Sequence, residues 1–192
     1  MADPERRFSP SMYWVGHVST LVFILATFAA LIVAYLARSN DPAFWRPLEL
    51  PRQLWLSTML LLMCSTAIEA ARWSLRQHGI KSYSVWLIRT ACLGVAFIAS
   101  QVLCWRVLLK SPVARVPWED PNRGMFYLLT MAHALHVAGG MTVLGYLIWR
   151  VWHPWKDEAE IRRTTITFIL ATYWHFMAII WLVLFGLFSW HQ

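Results

Sequence analysis

The run TTITFILATYWHFMAIIWLVLFGLFS, residues 164–189, decides the fold class. A helix needs about 20 apolar residues to cross the hydrocarbon core of a bilayer, and this run supplies them. Near its middle stands His175, between Trp174 and Phe176. A histidine at that depth is costly without a partner, so the rest of the chain should provide one.

Working outward, four similar runs precede it, at about Tyr13 to Ala37, Gln53 to Ser74, Val85 to Leu109 and Gly124 to Val151. The chain has 192 residues, 58% of them hydrophobic, against about half in an ordinary soluble domain. Its mean hydropathy is +0.47. Thirteen tryptophans fit the same reading, because indole favours the half-wet headgroup level. The predicted architecture is all-α: one transmembrane domain over residues 1–192, a multi-pass bundle of five helices. Short polar connections carry the breakers: Asn40, Pro42, Pro47 and Pro51, then His78 and Gly79, then Pro112, Pro117 and Pro121, then Pro154. No internal repeat and no interdomain linker is visible. The first run is longer than a signal-peptide core and lacks an evident cleavage site, so it is expected to stay as an anchor.

The formal charge of +7 does not indicate nucleic acid, because the basic residues stand singly between apolar runs. They read as topology signals. The side holding Arg6, Arg7, Arg72, Arg76, Lys81, Arg89, Arg150, Lys156, Arg162 and Arg163 outnumbers the side holding Arg38, Arg46, Arg52, Arg106, Lys110, Arg115 and Arg123. This predicts an N-terminus inside and a C-terminus outside. Cys64, Cys92 and Cys104 lie in apolar runs without CxxC spacing, as packing residues do.

Glu69 is the acid within the spans. Arg72, three residues on, and Arg89, near the start of the next helix, are both candidate partners for an ion pair that fixes two helix ends. A proton-handling role for Glu69 would need a polar chain leading inward, which the sequence does not display. Gln101 reads as interhelical hydrogen-bonding glue. In the fourth run Ala134, Ala138 and Gly145 form a small-residue stripe within about 40° of the helix wheel, a surface for close packing. His133, His136 and Gly140 fall on another face, about 100° to 160° away. Counting inward from each helix end puts His136 and His175 at similar depth, which makes each the expected partner of the other. The sequence reading is a structural polar network of His133, His136, His175, Glu69 and Gln101, with helix packing at Ala134, Ala138, Gly140 and Gly145.

Two mid-membrane histidines could instead ligate a b-type haem in a quinol-linked cytochrome. His17 and His191 do not make a second pair at matched depth, and His133 and His136, three apart on one helix, would point at one metal centre or at two different neighbours. There is no HExxH, no paired carboxylate within the spans and no Gly-rich phosphate loop. No catalytic, cofactor-binding or metal-ligating residue is assigned, and an independent ion pump is poorly supported.

Several motifs recur together in one order. They are Leu54-Trp55-Leu56-Ser57-Thr58 with Leu60-Leu61-Leu62, and Gln101 with Trp105 and Arg106. Phe126-Tyr127-Leu128-Leu129-Thr130 follows, with His133, His136-Val137 and Gly139-Gly140, and the last set is Tyr173-Trp174-His175-Phe176 with Trp181 and Leu184-Phe185. On these residues the chain resembles subunit III of the haem-copper respiratory oxidases, in a five-helix form lacking the first two helices of the seven-helix subunit. The resemblance implies a non-catalytic subunit of the bacterial plasma (inner) membrane. It would belong to a cytochrome c or quinol oxidase complex that reduces oxygen to water and pumps protons. It implies no haem or copper in this chain, those being held by partner subunits. It further implies packing against oxidase subunit I, contact with other oxidase subunits and membrane lipid, bound phospholipid, and help with proton delivery. Two family carboxylates are replaced: aligning Phe28-Ala29-Ala30-Leu31 and Tyr35-Leu36 puts Ile24 at one, and Ala178 stands at the other. That shifts the expected role from holding protons towards packing and lipid. A subunit III-like accessory protein of a nitric oxide reductase is the alternative within the wider family.

Overall fold

A computed structural model describes residues 10–39, 50–110, 121–153 and 160–191. The described elements are five helices: α1 (Pro10–Ser39), α2 (Gln53–Arg76), α3 (Ile80–Leu109), α4 (Pro121–Trp152) and α5 (Glu160–Trp190). All five are long and apolar enough to cross a membrane. Each apolar run becomes one helix, and each helix extends past its run, as α3 does from Val85 back to Ile80. The apolar count marks only the hydrocarbon. The backbone stays helical through the headgroup level, where residues such as Lys81 and Arg76 are exposed and water can take the terminal amides and carbonyls that lack intrahelical partners.

α2 and α3 join through a closed turn. The amide of His78 donates to the Leu75 carbonyl and that of Gly79 to the Ser74 carbonyl, both at 3.0 Å, the double bond that caps a helix C-terminus with a left-handed residue. That residue is His78, at φ 56. Gly79 has φ −86, and its role is space: a Cβ there would stand 3.3 Å from the Ser74 carbonyl oxygen.

Contacts between helix ends set the topology. Trp14 meets Phe168 at 5.3 Å between ring centroids, Tyr83 bonds Thr167 at 2.8 Å, and Ser74 bonds Ser82 at 3.1 Å. The starts of α1, α3 and α5 therefore share one end of the bundle with the finish of α2. At the opposite end Tyr35 packs on Phe188 at 5.8 Å, Trp181 Nε1 donates to Thr58 at 3.0 Å, and Trp105 Nε1 donates to Thr130 at 3.0 Å. The chain thus runs up and down.

Among the described residues α2 packs on α3, α3 on α4, α4 on α5 and α5 back on α2, so these four close into a ring. α1 lies outside it, and among the described residues it packs against α4 and α5. The ring is filled by Tyr83, Phe97, Phe126, Trp174 and Trp181 with Leu54, Leu61 and Ile68, all nearly or fully buried. Hydroxyls within the spans are spent locally or across seams. Thr58 and Thr90 each donate to the carbonyl four residues back, at 2.9 and 2.8 Å, while Ser57 bonds Ser100 across the α2–α3 seam at 2.8 Å.

Candidate functional site

The Tyr173-Trp174-His175 segment of α5 reaches three neighbouring helices at one level. Successive helical residues point about 100° apart, so three in a row can face three neighbours. Tyr173 turns to α4, where its hydroxyl donates to the His136 carbonyl at 2.7 Å and its ring lies over Gly140. A Cβ on Gly140 would come within 2.8 Å of Tyr173 Cε1, so the glycine clears the seat of this ring. Trp174 is buried in the ring core, and its indole stands 3.3 Å from where a Cβ of Gly94 on α3 would be. His175 turns to α2, its Nδ1 lying 2.5 Å from Ser65 Oγ and its Nε2 3.7 Å from Glu69 Oε1.

His136 and His175 therefore take different partners. His136 Nδ1 donates to the Ala132 carbonyl at 2.7 Å, and its ring packs near Phe28 of α1 at 5.5 Å. Equal depth does not fix direction around the helix axis, and Tyr173, not His175, is the α5 residue facing His136. The opposed imidazoles that bis-histidine ligation needs are not presented by this pair. Among the described residues no three His, Cys, Asp or Glu side chains converge where they could hold a metal ion. His17 is buried within α1 near Trp14, while His191 at the far end of the bundle bonds the Leu187 carbonyl and meets Tyr35.

Glu69 pairs with Arg72 through both carboxylate oxygens. The Arg72 guanidinium also lies over the Phe168 ring at 4.4 Å, tying α2 to α5. Arg89 instead stacks on Trp86, three residues back in its own helix, at 4.5 Å. A polar string thus runs from Arg72 through Glu69 and His175 to Ser65, one helical turn or about 6 Å deeper than Glu69. Ser65 was the member missing from the sequence reading. Its spacing of four from Glu69 places both on one face of α2, and that spacing is the signal that could have found it.

Gln101 and His133 are fully buried on neighbouring helices. His133 is enclosed by Phe28, Phe97 and Trp181, with ring centroids at 6.1, 5.8 and 5.0 Å. The small stripe of α4 is buried at Ala134, half-buried at Ala138 and exposed at Gly145, where an added Cβ would meet nothing within 4 Å. Ile24 and Ala178 are both buried in the apolar core.

At the end of the bundle where α1 begins, α1 and α2 stand apart with α5 beneath them. They leave an open groove lined by Trp14, Arg72, Leu75, Arg76, Thr164, Thr165, Thr167 and Phe168. Its volume of about 230 Å³ is below the roughly 300–1,000 Å³ of a drug-sized ligand site. Two guanidinium groups and an indole give it the chemistry that an anionic headgroup at the membrane surface meets, while the threonine hydroxyls are spent on carbonyls of α5.

The sequence profile described as Cytochrome c oxidase subunit III matches residues 13–192. The chain is 27% identical, over 92% of its length and 86% of the relative's, to a probable cytochrome c oxidase subunit 3 of Mycobacterium tuberculosis. It is 30% identical to the cytochrome c oxidase subunit 3 of Synechocystis, over 92% of this chain and 74% of that one. Similarity extends to the cytochrome bo(3) ubiquinol oxidase subunit 3 of Pseudomonas aeruginosa, at 26% over 90% of this chain and 80% of the relative.

Proposed function

The chain belongs to the cytochrome c oxidase subunit III family, and we propose that it serves a haem-copper oxidase as a non-catalytic packing subunit seated on subunit I. As a multi-pass membrane protein of that family it associates with other oxidase subunits. The proposed setting is the bacterial plasma membrane, with haem and copper in the partner subunits and the N-terminus inside, as the basic residues suggest.

The observation that carries the reading is the use made of polar side chains. Tyr173, His175, Thr58, Trp181, Trp105 and Thr130 all join one helix to another. A frame of this kind stabilises a neighbour. Phospholipid is the second part of the proposal, at the groove between α1 and α2, where Arg72 and Arg76 would take the phosphate and Trp14 the interface. Arg72 is already oriented by Glu69 and Phe168, which lowers the ordering cost of binding.

The test is to purify the complex through a tag on this chain. Subunit I and its haem spectrum are expected to co-purify, and the chain stripped of partners should show no stoichiometric haem. A haem spectrum in the stripped chain would overturn the packing role. Native mass spectrometry of the complex should show retained anionic phospholipid that falls on Arg76→Ala; unchanged lipid would place the headgroup elsewhere.

A further inference from the structure

We propose that the seam between α3 and α4 holds an ordered water molecule bridging the Gln101 carboxamide and the His133 imidazole. This goes beyond the packing role and does not depend on it. Both side chains are 0% exposed. Gln101 Oε1 and Nε2 and both ring nitrogens of His133 find no hydrogen-bond partner among the described residues.

Register brings the two together. On one side Phe97 of α3 packs on the His133 ring at 5.8 Å. On the other, Trp105 of α3 bonds Thr130, three residues before His133, at 3.0 Å, and the Tyr127 hydroxyl donates to the Trp105 carbonyl at 3.2 Å. Gln101 lies four residues from both Phe97 and Trp105 and so shares their face of α3. It stands between the two contacts, within one helical turn of His133 along the seam. Phe28, Phe97 and Trp181 wall the imidazole with apolar rings, and Gln101 is a fully buried polar side chain within one turn of it in register.

The donor and acceptor inventory fits a water. A carboxamide offers one acceptor and an N–H donor pair, and a neutral imidazole offers one donor and one acceptor. A single water donates twice and accepts twice, so it can pair with one ring nitrogen in either histidine tautomer and with one end of the carboxamide in either orientation. The site lies within the membrane spans, where bulk water cannot do this and an unsatisfied polar atom is expensive. Buried waters take two to four polar partners of this kind. So placed, the water would fasten α3 to α4 deeper in the seam than the Trp105–Thr130 bond.

A cryo-electron microscopy map of the assembled oxidase, at a resolution that shows waters, tests the site in the unaltered protein. The expected result is an isolated density within about 3.2 Å of both Gln101 and a ring nitrogen of His133. Direct contact between the two side chains, or no density, overturns the proposal. A second readout is the temperature at which this subunit leaves the complex. Gln101→Leu and His133→Phe should each lower it, and the double variant should lose clearly less than the two losses combined, because neither polar group is then left stranded. Additive losses would overturn the bridge. Should either single variant fail to assemble, the map of the unaltered complex decides.

Discussion

Gly140 shows how much rests on one missing methyl. Its added Cβ would meet Tyr173 Cε1 at 2.8 Å, and Tyr173 cannot swing aside freely because its hydroxyl is held by the His136 carbonyl. Gly140→Ala should therefore cost about 1–3 kcal/mol, the range of core overpacking, read as a lower temperature of release from the complex. Adding Tyr173→Leu should recover part of the loss. Glu69→Gln addresses the polar string: oxygen consumption and proton uptake are both expected to stay near normal, since an amide still bonds Arg72. A marked loss of proton uptake would show that Glu69, His175 and Ser65 handle protons. The sequence marked Tyr173 to Phe176 as central, and it did so from depth and composition alone. It did not reveal that Tyr173 takes His136 while His175 takes Ser65, because those two α5 residues point about 200° apart and only the placement of α2 and α4 tells which is which.

Helices were the most legible level. Five apolar runs gave five spans because bilayer thickness imposes a length on each, whereas ring closure was hidden, since apolar residues face lipid and protein alike. α2 and α5 are far apart in sequence, and their seam is held by Trp181 donating to Thr58, the polar string, and Arg72 over Phe168. Thr58→Val keeps the shape and strands the buried indole N–H. A loss of about 1 kcal/mol is expected, within the range for hydrogen bonds between membrane helices. Unchanged thermal release of the subunit would mean that packing alone closes the ring. The α2–α3 turn adds a smaller lesson: the His78-Gly79 pair was readable as a break, yet histidine takes the left-handed conformation and glycine the close approach.

For the molecule as a whole, the ring of α2 to α5 is one body and α1 an addition to it. Phe28 anchors that addition, buried against His133 and His136. Phe28→Ala should cost about 3 kcal/mol, as deletion of a buried aromatic ring does. The loss should appear as easier protease cleavage near α1, with the ring still resisting digestion; collapse of the whole subunit would show that α1 is integral to the ring. α1 emerges from the ribosome before either helix it will touch, with α2 and α3 made in between. It is the most apolar of the five described spans and the least buried in the finished fold. Its surface suits lipid until α4 and α5 arrive, His17 apart, whereas the polar residues of α2 to α5 become sheltered as those helices find one another.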